Sequence, residues 1–569
     1  MSTSGAEAAA APAAAAERPL VVQSDGTILL EVSSPSYERA RDLLSGFAAL
    51  EKSPEYVHTY RLTPLSLWNA AAVGVDHEHV ARGLASLSRY PVPPLVLAFV
   101  REQLARYGRL RLVPSGDERL ALTSDDPTLL SELGADDRLE GLLAGRGADG
   151  FAVEPRNRGA LKQALVRIGY PVEDLCGYVD GAPLDVALRG TDRTGTAFAL
   201  RPYQEAAVEA FLAGGGPRGG AGVVVLPCGA GKTVVGLGVM SRVRARSLVL
   251  TTSTVAVRQW IEEILDKTGI PAHAVGEYTG ERKETRPVTV TTYQMLTHRP
   301  SKEGDFPHLD LMRDAGWGLI VYDEVHLLPA PVFRATAEIQ ARRRLGLTAT
   351  LVREDGREED VFALIGPKRF EVPWKRLEGE GFIAEAHCTE VRVDLPPERR
   401  VEYALADRRR RFRIAAENPA KRGLVEEILA AHPREPALVI GQYLDQLDAI
   451  ARGLGLPLLT GKTPSGERER LYAAFRRGEE RVLVVSKVAN FAVDLPDASL
   501  AIQVSGTFGS RQEEAQRLGR ILRPKSRPSR FFTLVSRDTV EQEFARKRQL
   551  FLVEQGYRYR IADVAGAAG

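Results

Sequence analysis

The stretch Val223-Val224-Val225-Leu226-Pro227-Cys228-Gly229-Ala230-Gly231-Lys232-Thr233-Val234 decides the fold. Four consecutive apolar residues fit a strand buried on both faces, and the apolar segment from Val234 to Val243 fits a helix. The glycine-rich turn between them lets backbone N–H groups curl around phosphates at the helix N-terminus. Lys232 is then placed to neutralise β and γ phosphates, and Thr233 to set a hydroxyl on Mg²⁺. A full Walker A sequence has Gly where this chain has Leu226. Gly-Lys-Thr alone arises by chance, but strand, turn and helix in this order make an accidental turn the minor reading.

Outward from this stretch the same texture repeats. Leu248-Val249-Leu250, Val288-Thr289-Val290 and Leu319-Ile320-Val321-Tyr322 are short apolar runs, each followed by a polar turn and a helical stretch. Buried parallel strands alternating with helices account for this, so a doubly wound α/β domain is expected over residues 198–374. Past a charged region at 375–430 the pattern resumes with Ala437-Leu438-Val439-Ile440, Val482-Leu483-Val484-Val485, Ala501-Ile502-Gln503-Val504 and Phe531-Phe532-Thr533-Leu534-Val535. A second such domain over 431–569 is expected, with a cleft between the two. Leu319–Tyr322 runs into Asp323-Glu324-Val325-His326, 91 residues after Lys232. Asp323 at the end of a buried strand beside a phosphate loop suits Mg²⁺ coordination, and Glu324 suits orienting and deprotonating an attacking water. Standing alone, the pair would read as an ordinary acidic strand end.

The length of 569 residues predicts three to four domains, and 44% hydrophobic with 26% charged residues is a globular composition. The net charge of +2 hides an asymmetry: residues 1–195 hold 20 basic and 26 acidic side chains, the remainder 56 and 48. Three cysteines, Cys176, Cys228 and Cys388, lack disulfide or zinc spacing, which points to a reducing cytosol and excludes a four-cysteine iron–sulfur cluster. No apolar run approaches the roughly 18 residues needed to cross a membrane. Residues 1–18 are Ala-rich and read as a disordered tail. Residues 19–114 begin with a predicted hairpin, Leu20–Val22 and Ile28–Val32, followed by helices over Tyr37–Ala49, Leu65–Val73, His77–Leu87 and Pro94–Tyr107 and a strand at Leu110–Val113. A winged-helix-like module and a plain helical packing domain both fit. Residues 115–197 read as a small α+β domain and linker.

Asp323-Glu324-Val325-His326, Thr348-Ala349-Thr350 and Gln516-Arg517-Leu518-Gly519-Arg520-Ile521-Leu522-Arg523 resemble motifs II, III and VI of superfamily 2 helicases. Arg353-Glu354-Asp355, Asn490-Phe491-Ala492-Val493-Asp494-Leu495-Pro496 and Gly506-Thr507-Phe508-Gly509-Ser510-Arg511-Gln512-Glu513-Glu514 narrow the resemblance to XPB (Ssl2-like) helicases of bacterial and archaeal type. It covers about residues 200–555. It implies two tandem RecA-like motor domains, a thumb-like insertion at 375–430, and a damage-recognition-like role for 115–197. Leu200-Arg201-Pro202-Tyr203-Gln204 resembles the Q motif, which implies that Gln204 bonds the adenine edge and that Arg201 belongs to the nucleotide site; the stretch also reads as a helix start with Pro202 near its first turn, and both readings can hold at once. By resemblance Arg520 and Arg523 are arginine fingers on the γ-phosphate, and Gln516 belongs to the nucleotide site.

The resemblance also implies where DNA is held. Thr252 falls in motif Ia, Thr292 in motif Ib, Lys487 and Asn490 in motif V, and Arg353 in the RED segment. Hydroxyls, amides and cations of this kind grip a backbone without reading sequence. In the insertion, Arg409, Arg411 and Phe412 lie in a cationic run that is read either as a DNA grip with Phe412 stacking on a base, or as a solvated helix face. The expectation is an ATP- and Mg²⁺-dependent DNA helicase of 3′→5′ polarity in repair: monomeric, cytoplasmic, without membrane attachment, and acting on single strands and duplex junctions. A duplex-DNA translocase, and an ATP-gated platform for a nuclease or repair partner, are the alternatives.

Overall fold

The computed structural model describes residues 18–53, 56–115, 119–147, 150–176, 180–213, 219–227, 229–298, 306–313, 315–328, 341, 343–349, 358–372, 374–486, 498–506, 528–554 and 559–563. The chain divides into two compact units, Met1–Leu226 with Gly231–Glu371, and Pro227–Ala230 with Val372–Gly569.

The first unit opens with an antiparallel sheet of β1 (Leu20–Val22), β2 (Thr27–Glu31), β3 (Ala49–Lys52) and β4 (Val57–Arg61), in the order β1-β2-β4-β3. The predicted hairpin is there, with Leu20 opposite Leu30 across a turn at Asp25-Gly26. The predicted helices form at Tyr37–Ser45, Pro64–Ala72, His77–Leu87 and Pro94–Arg106. A second sheet contains β5 (Leu110–Pro114), β6 (Leu120–Thr123), β7 (Gly150–Val153) and β8 (Val172–Asp174), ordered β7-β6-β5-β8. The strand at Leu110 therefore belongs to the second sheet, because its partners are Leu120–Thr123 and Val172–Asp174, both downstream.

The third sheet of this unit is the first motor sheet. Its strands are β9 (Ala221–Val225), β10 (Ser247–Thr251), β11 (Val275–Tyr278), β12 (Val288–Thr292), β13 (Leu319–Asp323), β14 (Arg343–Thr348) and β15 (Lys368–Glu371). All are parallel in the order β11-β12-β10-β13-β14-β9-β15. Every residue of β10 and β12 is buried, as expected of strands covered on both faces. Parallel register puts all C-terminal strand ends along one edge, where α/β sheets bind their ligands. Both accessory sheets are tied to this motor through its helix Glu358–Leu364 and edge strand β15. Trp68 and Val166 pack with Phe362 and Ala363, Gln163 Nε2 donates to Asp360 Oδ1 at 2.9 Å, and Lys368 N donates to Asn69 Oδ1 at 2.9 Å.

The second unit has its own seven-stranded parallel sheet, built from β16 (Ala386–Val393), β17 (Ala437–Gly441), β18 (Leu458–Leu459), β19 (Val482–Ser486), β20 (Leu500–Gln503), β21 (Ser529–Ser536) and β22 (Tyr559–Asp563). The order is β18-β19-β17-β20-β21-β16-β22. This corrects the reading of 375–430 as insertion and linker alone. β16 pairs in register with β21 over its whole length and with β22 on its other side, and the helix Lys421–Ala431 buries Leu424, Val425 and Ile428 in the core of this sheet. Two doubly wound parallel sheets in tandem, each with seven strands, are the RecA-like arrangement expected.

Candidate nucleotide and nucleic-acid sites

The residues of the phosphate-loop stretch meet those of the acidic strand end on one edge of the first motor sheet. β9 delivers the chain to the turn, and the helix Lys232–Val243 starts at Gly231, whose φ of 75° and ψ of 47° are left-handed. Any other residue there would be strained and would also set its Cβ 2.6 Å from Gln204 Nε2. Gly229 likewise has φ of 81°. Lys232 and Thr233 occupy the first two positions of the helix, where N–H groups lack intrahelical partners. β13, two strands away with β14 between, ends at Asp323. Glu324 follows in a left-handed backbone, φ 50° and ψ 52°, an uncommon and costly conformation for a side-chain-bearing residue. It turns the carboxylate onto Lys232, with Nζ 3.2 Å from Glu324 Oε1.

Two half-buried carboxylates next to one lysine set the electrostatics. Burial and the adjacent Glu324 charge push the Asp323 carboxyl up to about 6. Burial is the largest single influence on Glu324 and pushes it up, but the Lys232 ammonium, the nearby His326 and a backbone hydrogen bond from Ala349 together hold Glu324 below its ordinary value. Asp323 Oδ2 accepts the Trp260 indole N–H at 2.9 Å, and Oδ1 accepts the Glu324 N–H at 3.1 Å. The Tyr293 hydroxyl donates to the Asp323 carbonyl at 2.6 Å. Glu324 Oε2 is buried and makes no hydrogen bond among the described residues. His326 Nδ1 lies 3.6 Å from that oxygen and 2.5 Å from Thr348 Oγ1 at the end of β14. One cation against two carboxylates leaves negative charge that a divalent cation balances, so the donor set fits Mg²⁺.

Gln204 is buried, and its Oε1 accepts the Arg201 N–H at 2.9 Å, so its amide closes the first turn of the helix Pro202–Leu212. The side chain is also beside Gly231. Arg201, half-buried, reaches the Tyr203 hydroxyl at 3.3 Å. Helix packing behind the loop is close: a Cβ on Gly236 would sit 2.6 Å from Trp260 Cη2, and one on Gly238 would sit 2.9 Å from Val208 Cγ2.

Thr252 and Thr292 are neighbours, since β10 and β12 pair with Thr251 opposite Thr292. The Thr292 hydroxyl accepts the Met295 N–H at 3.2 Å and caps a short helix, and Gln294 reaches the Thr252 carbonyl. In the second unit Arg408–Ala416 is a helix, and Phe412 is 1% exposed, edge-on to Phe544 with ring centroids 5.1 Å apart. Phe412 is a core residue, which corrects the reading of it as a stacking platform: Ala415 and Ala416 share its face and are fully buried. Arg411 is committed to the carbonyls of Tyr403 and Ala404 at 3.1 and 2.9 Å. Arg409 is exposed and lines an open hollow of about 660 Å³ of mixed charge, in which Arg399 and Arg410 pair with Glu402 and Arg413 pairs with Glu417. Arg353, Lys487, Asn490, Gln516, Arg520 and Arg523 lie outside the described residues. Sequence reasoning missed Trp260 and the contact Tyr293 makes; the available signal was that a buried indole N–H needs an acceptor.

A lysine-bearing phosphate loop next to an Asp-Glu strand end on a parallel sheet, with a second such sheet following in the same chain, defines a two-domain P-loop motor. The ERCC3/RAD25/XPB C-terminal helicase family matches residues 377–567, a type III restriction enzyme res-subunit family matches 197–353, and a helicase conserved C-terminal domain family matches 20–148. The chain is 55% identical over 550 residues to a DNA 3′-5′ helicase XPB of Kineococcus radiotolerans, covering 96% of each chain. It is 52% identical over 554 residues to a DNA 3′-5′ helicase XPB of Mycobacterium tuberculosis, covering 97% of this chain and 99% of that one. It is 38% identical over 564 residues to the general transcription and DNA repair factor IIH helicase/translocase subunit XPB of Antonospora locustae, covering 96% of this chain and 81% of that one. The chain belongs to the XPB family of DNA helicases. Among the described residues no helix is long and apolar enough to cross a membrane.

Proposed function

We propose that this helicase hydrolyses ATP at the site of Lys232, Thr233, Asp323 and Glu324 and uses the cycle to advance 3′→5′ along DNA and part its strands in repair. The observation that carries the site is the Lys232–Glu324 ion pair at 3.2 Å beside the half-buried Asp323. Thr233 and Asp323 hold Mg²⁺, which when bound neutralises charge on the β and γ phosphates. Gln204 and Arg201, with Gln516, face the base and phosphates. Glu324, kept ionised by Lys232, is ready to accept a proton from the attacking water. When phosphate draws Lys232 away, Glu324 loses its counter-charge and becomes a stronger base at the moment it is needed. Arg520 and Arg523 stabilise the charge of the transferring phosphoryl group.

DNA is gripped through Thr252, Thr292, Arg353, Arg409, Lys487 and Asn490, contacts to backbone rather than base edges. The low cysteine content, three in 569 residues, supports a reducing compartment, and the protein is placed in the cytoplasm as a monomer that meets a nuclease or repair partner on DNA. The test is ATP hydrolysis with and without DNA, together with strand displacement on duplexes tailed at 3′ or 5′. Lys232→Ala is expected to lower DNA-stimulated hydrolysis at least about 100-fold. Hydrolysis by that variant at the parental rate refutes the site, and displacement only from 5′ tails refutes the polarity. Full DNA-stimulated hydrolysis without displacement from either tail leaves duplex translocation, the second reading, which the helicase/translocase name of the Antonospora relative favours.

A further inference from the structure

We propose that Trp260 is a positioning residue for the Asp323 carboxylate, linking the strand end at Thr251–Ser253 to the metal half of the nucleotide site. The inference rests on the reading of Asp323 as a Mg²⁺-holding residue and adds the element that aims it. The helix Thr254–Lys267 begins directly at the end of β10, capped by the Ser253 hydroxyl, which accepts the Ala256 N–H at 3.2 Å. Its inward face is Val257, Trp260 and Ile264. Valine and isoleucine are ordinary on such a face. Trp260 is 2% exposed and is aimed by its polar atom, the indole N–H, 2.9 Å from Asp323 Oδ2, across 63 residues of sequence.

Space for this reach is built into two other elements. The ring edge passes over Gly236 of the phosphate-loop helix, where a Cβ would come within 2.6 Å of Cη2, and Leu347 of β14 closes the same gap at 3.5 Å from that Cβ position. Trp260 thus touches the phosphate-loop helix and the carboxylate at the end of β13, and lies beside the strand that carries Thr348. Each Asp323 oxygen receives one donor, Trp260 on Oδ2 and the Glu324 N–H on Oδ1, so the carboxylate plane is fixed while further lone pairs stay available. The neighbouring strand end contributes in parallel. Tyr293, the residue after β12, is 1% exposed and holds the Asp323 main chain through its carbonyl, and burial keeps its phenol protonated far above the ordinary range. The two strand ends proposed to grip DNA each send one aromatic donor to Asp323, one to its side chain and one to its backbone. A shift of the helix Thr254–Lys267 that pulls the indole away releases the carboxylate, which is the physical means by which a grip on DNA reaches the metal.

Orienting donors around metal ligands are typically worth about 10–100-fold in metal affinity or activity. The experiment uses the full chain and reads Mn²⁺ binding to the ADP-loaded protein by electron paramagnetic resonance, with ADP affinity in EDTA as the metal-free control. Trp260→Phe keeps an aromatic ring and removes the N–H; it is expected to weaken Mn²⁺ binding about 10–100-fold and leave metal-free ADP affinity at the parental value. Gly236→Ala approaches from the other side by displacing the intact indole, and is expected to weaken Mn²⁺ binding in the parent and to add nothing in the Trp260→Phe background, where the smaller ring makes room. Parental Mn²⁺ affinity in Trp260→Phe overturns the proposal. So does an equal loss of Mn²⁺ and metal-free ADP binding, which is what a purely packing role would produce. Asp323→Asn is the separate control: parental Mn²⁺ affinity there overturns the reading of Asp323 itself, whereas its loss alongside an unaffected Trp260→Phe overturns the role of Trp260 alone.

Discussion

Lys421 and Glu541 form an ion pair in the second unit with side-chain exposures of 0% and 1%. Lys421 Nζ donates to both Glu541 oxygens at 2.8 Å and to the Val504 carbonyl at 2.9 Å, so its three hydrogens are all used. Lys421→Met fills similar volume without the charge and, among the described residues, leaves the Glu541 carboxylate the Ser536 N–H at 2.8 Å. A buried carboxylate stripped of its counter-charge costs about 3–5 kcal/mol. Replacing both partners, as in Lys421→Met with Glu541→Leu, removes the buried charge altogether and orphans one carbonyl and one N–H, at about 1–3 kcal/mol each. The double variant is therefore expected to cost less than the two single losses added together. Several domains unfold separately in such a chain, so one melting temperature is not a defined quantity. The suitable assay is native-state hydrogen exchange of peptides from β17, β20 and β21, with urea series to separate global from local opening. A loss below about 1 kcal/mol for Lys421→Met, or a double variant as unstable as the sum of the singles, refutes the argument that uncompensated charge dominates here.

The other predictions concern the first sheet and the arginine run. Burial lowers the His58 pKa to about 4, and the ring is hydrogen-bonded to Tyr37 at 3.2 Å. Because the folded value is below the unfolded one, the unfolded chain takes up the proton first. The contribution is complete above pH 6.5 and is lost as pH falls towards 4, about 3 kcal/mol in all. Hydrogen exchange of β2 and β4 should therefore accelerate over that window, and His58→Gln should remove most of the dependence; exchange independent of pH in the parent, after correction for intrinsic rates, counts against it. Phe412→Ala is expected to destabilise the second unit by about 3–5 kcal/mol, whereas Phe412→Leu keeps DNA affinity. Arg409→Ala should weaken DNA binding evenly across sequences and reduce the slope of log affinity against log salt by about one, as measured by fluorescence anisotropy.

The sheets were legible wherever burial on both faces demanded an unbroken apolar run, as in Leu248–Leu250 or Val482–Val485. Strands that carry charge were not. β16 holds Glu390 at 1% exposure, and only the fold supplies its partners, Gln549 Nε2 at 2.7 Å, the Tyr559 hydroxyl at 3.1 Å and Arg392 Nε at 3.0 Å. β14 opens with Arg343-Arg344, and Arg344 is buried with its guanidinium donating to the Leu364 carbonyl at 3.0 Å. β4 alternates in the manner of a strand, but it joins the sheet through the distant β2. At the candidate site, the residues that the structure brings together, Lys232, Asp323 and Glu324, stood out in the sequence because their chemistry is unusual for strand ends and loops. Trp260 was harder: its helical spacing with Val257 and Ile264 marks an ordinary buried face, and although a buried indole N–H demands an acceptor, nothing in the sequence says that the acceptor is Asp323. Composition also misled at Phe412, where four arginines in a row drew attention from the i, i+3, i+4 pattern with Ala415 and Ala416 that marks a buried face.

Gly236 and Gly238 bear on how the helix Lys232–Val243 is kept in order. Each glycine in a helix interior lowers intrinsic helix stability by about 1 kcal/mol relative to alanine, so this segment would barely form a helix by itself. Its shape is imposed from outside, by the indole crossing at Gly236 and by Val208 and Leu200 pressed against Gly238. The backbone that presents Lys232 and Thr233 is therefore a dependent element, only as rigid as its two neighbours. Substitutions in the helices Pro202–Leu212 and Thr254–Lys267 can thus soften the proposed nucleotide site without lying in it.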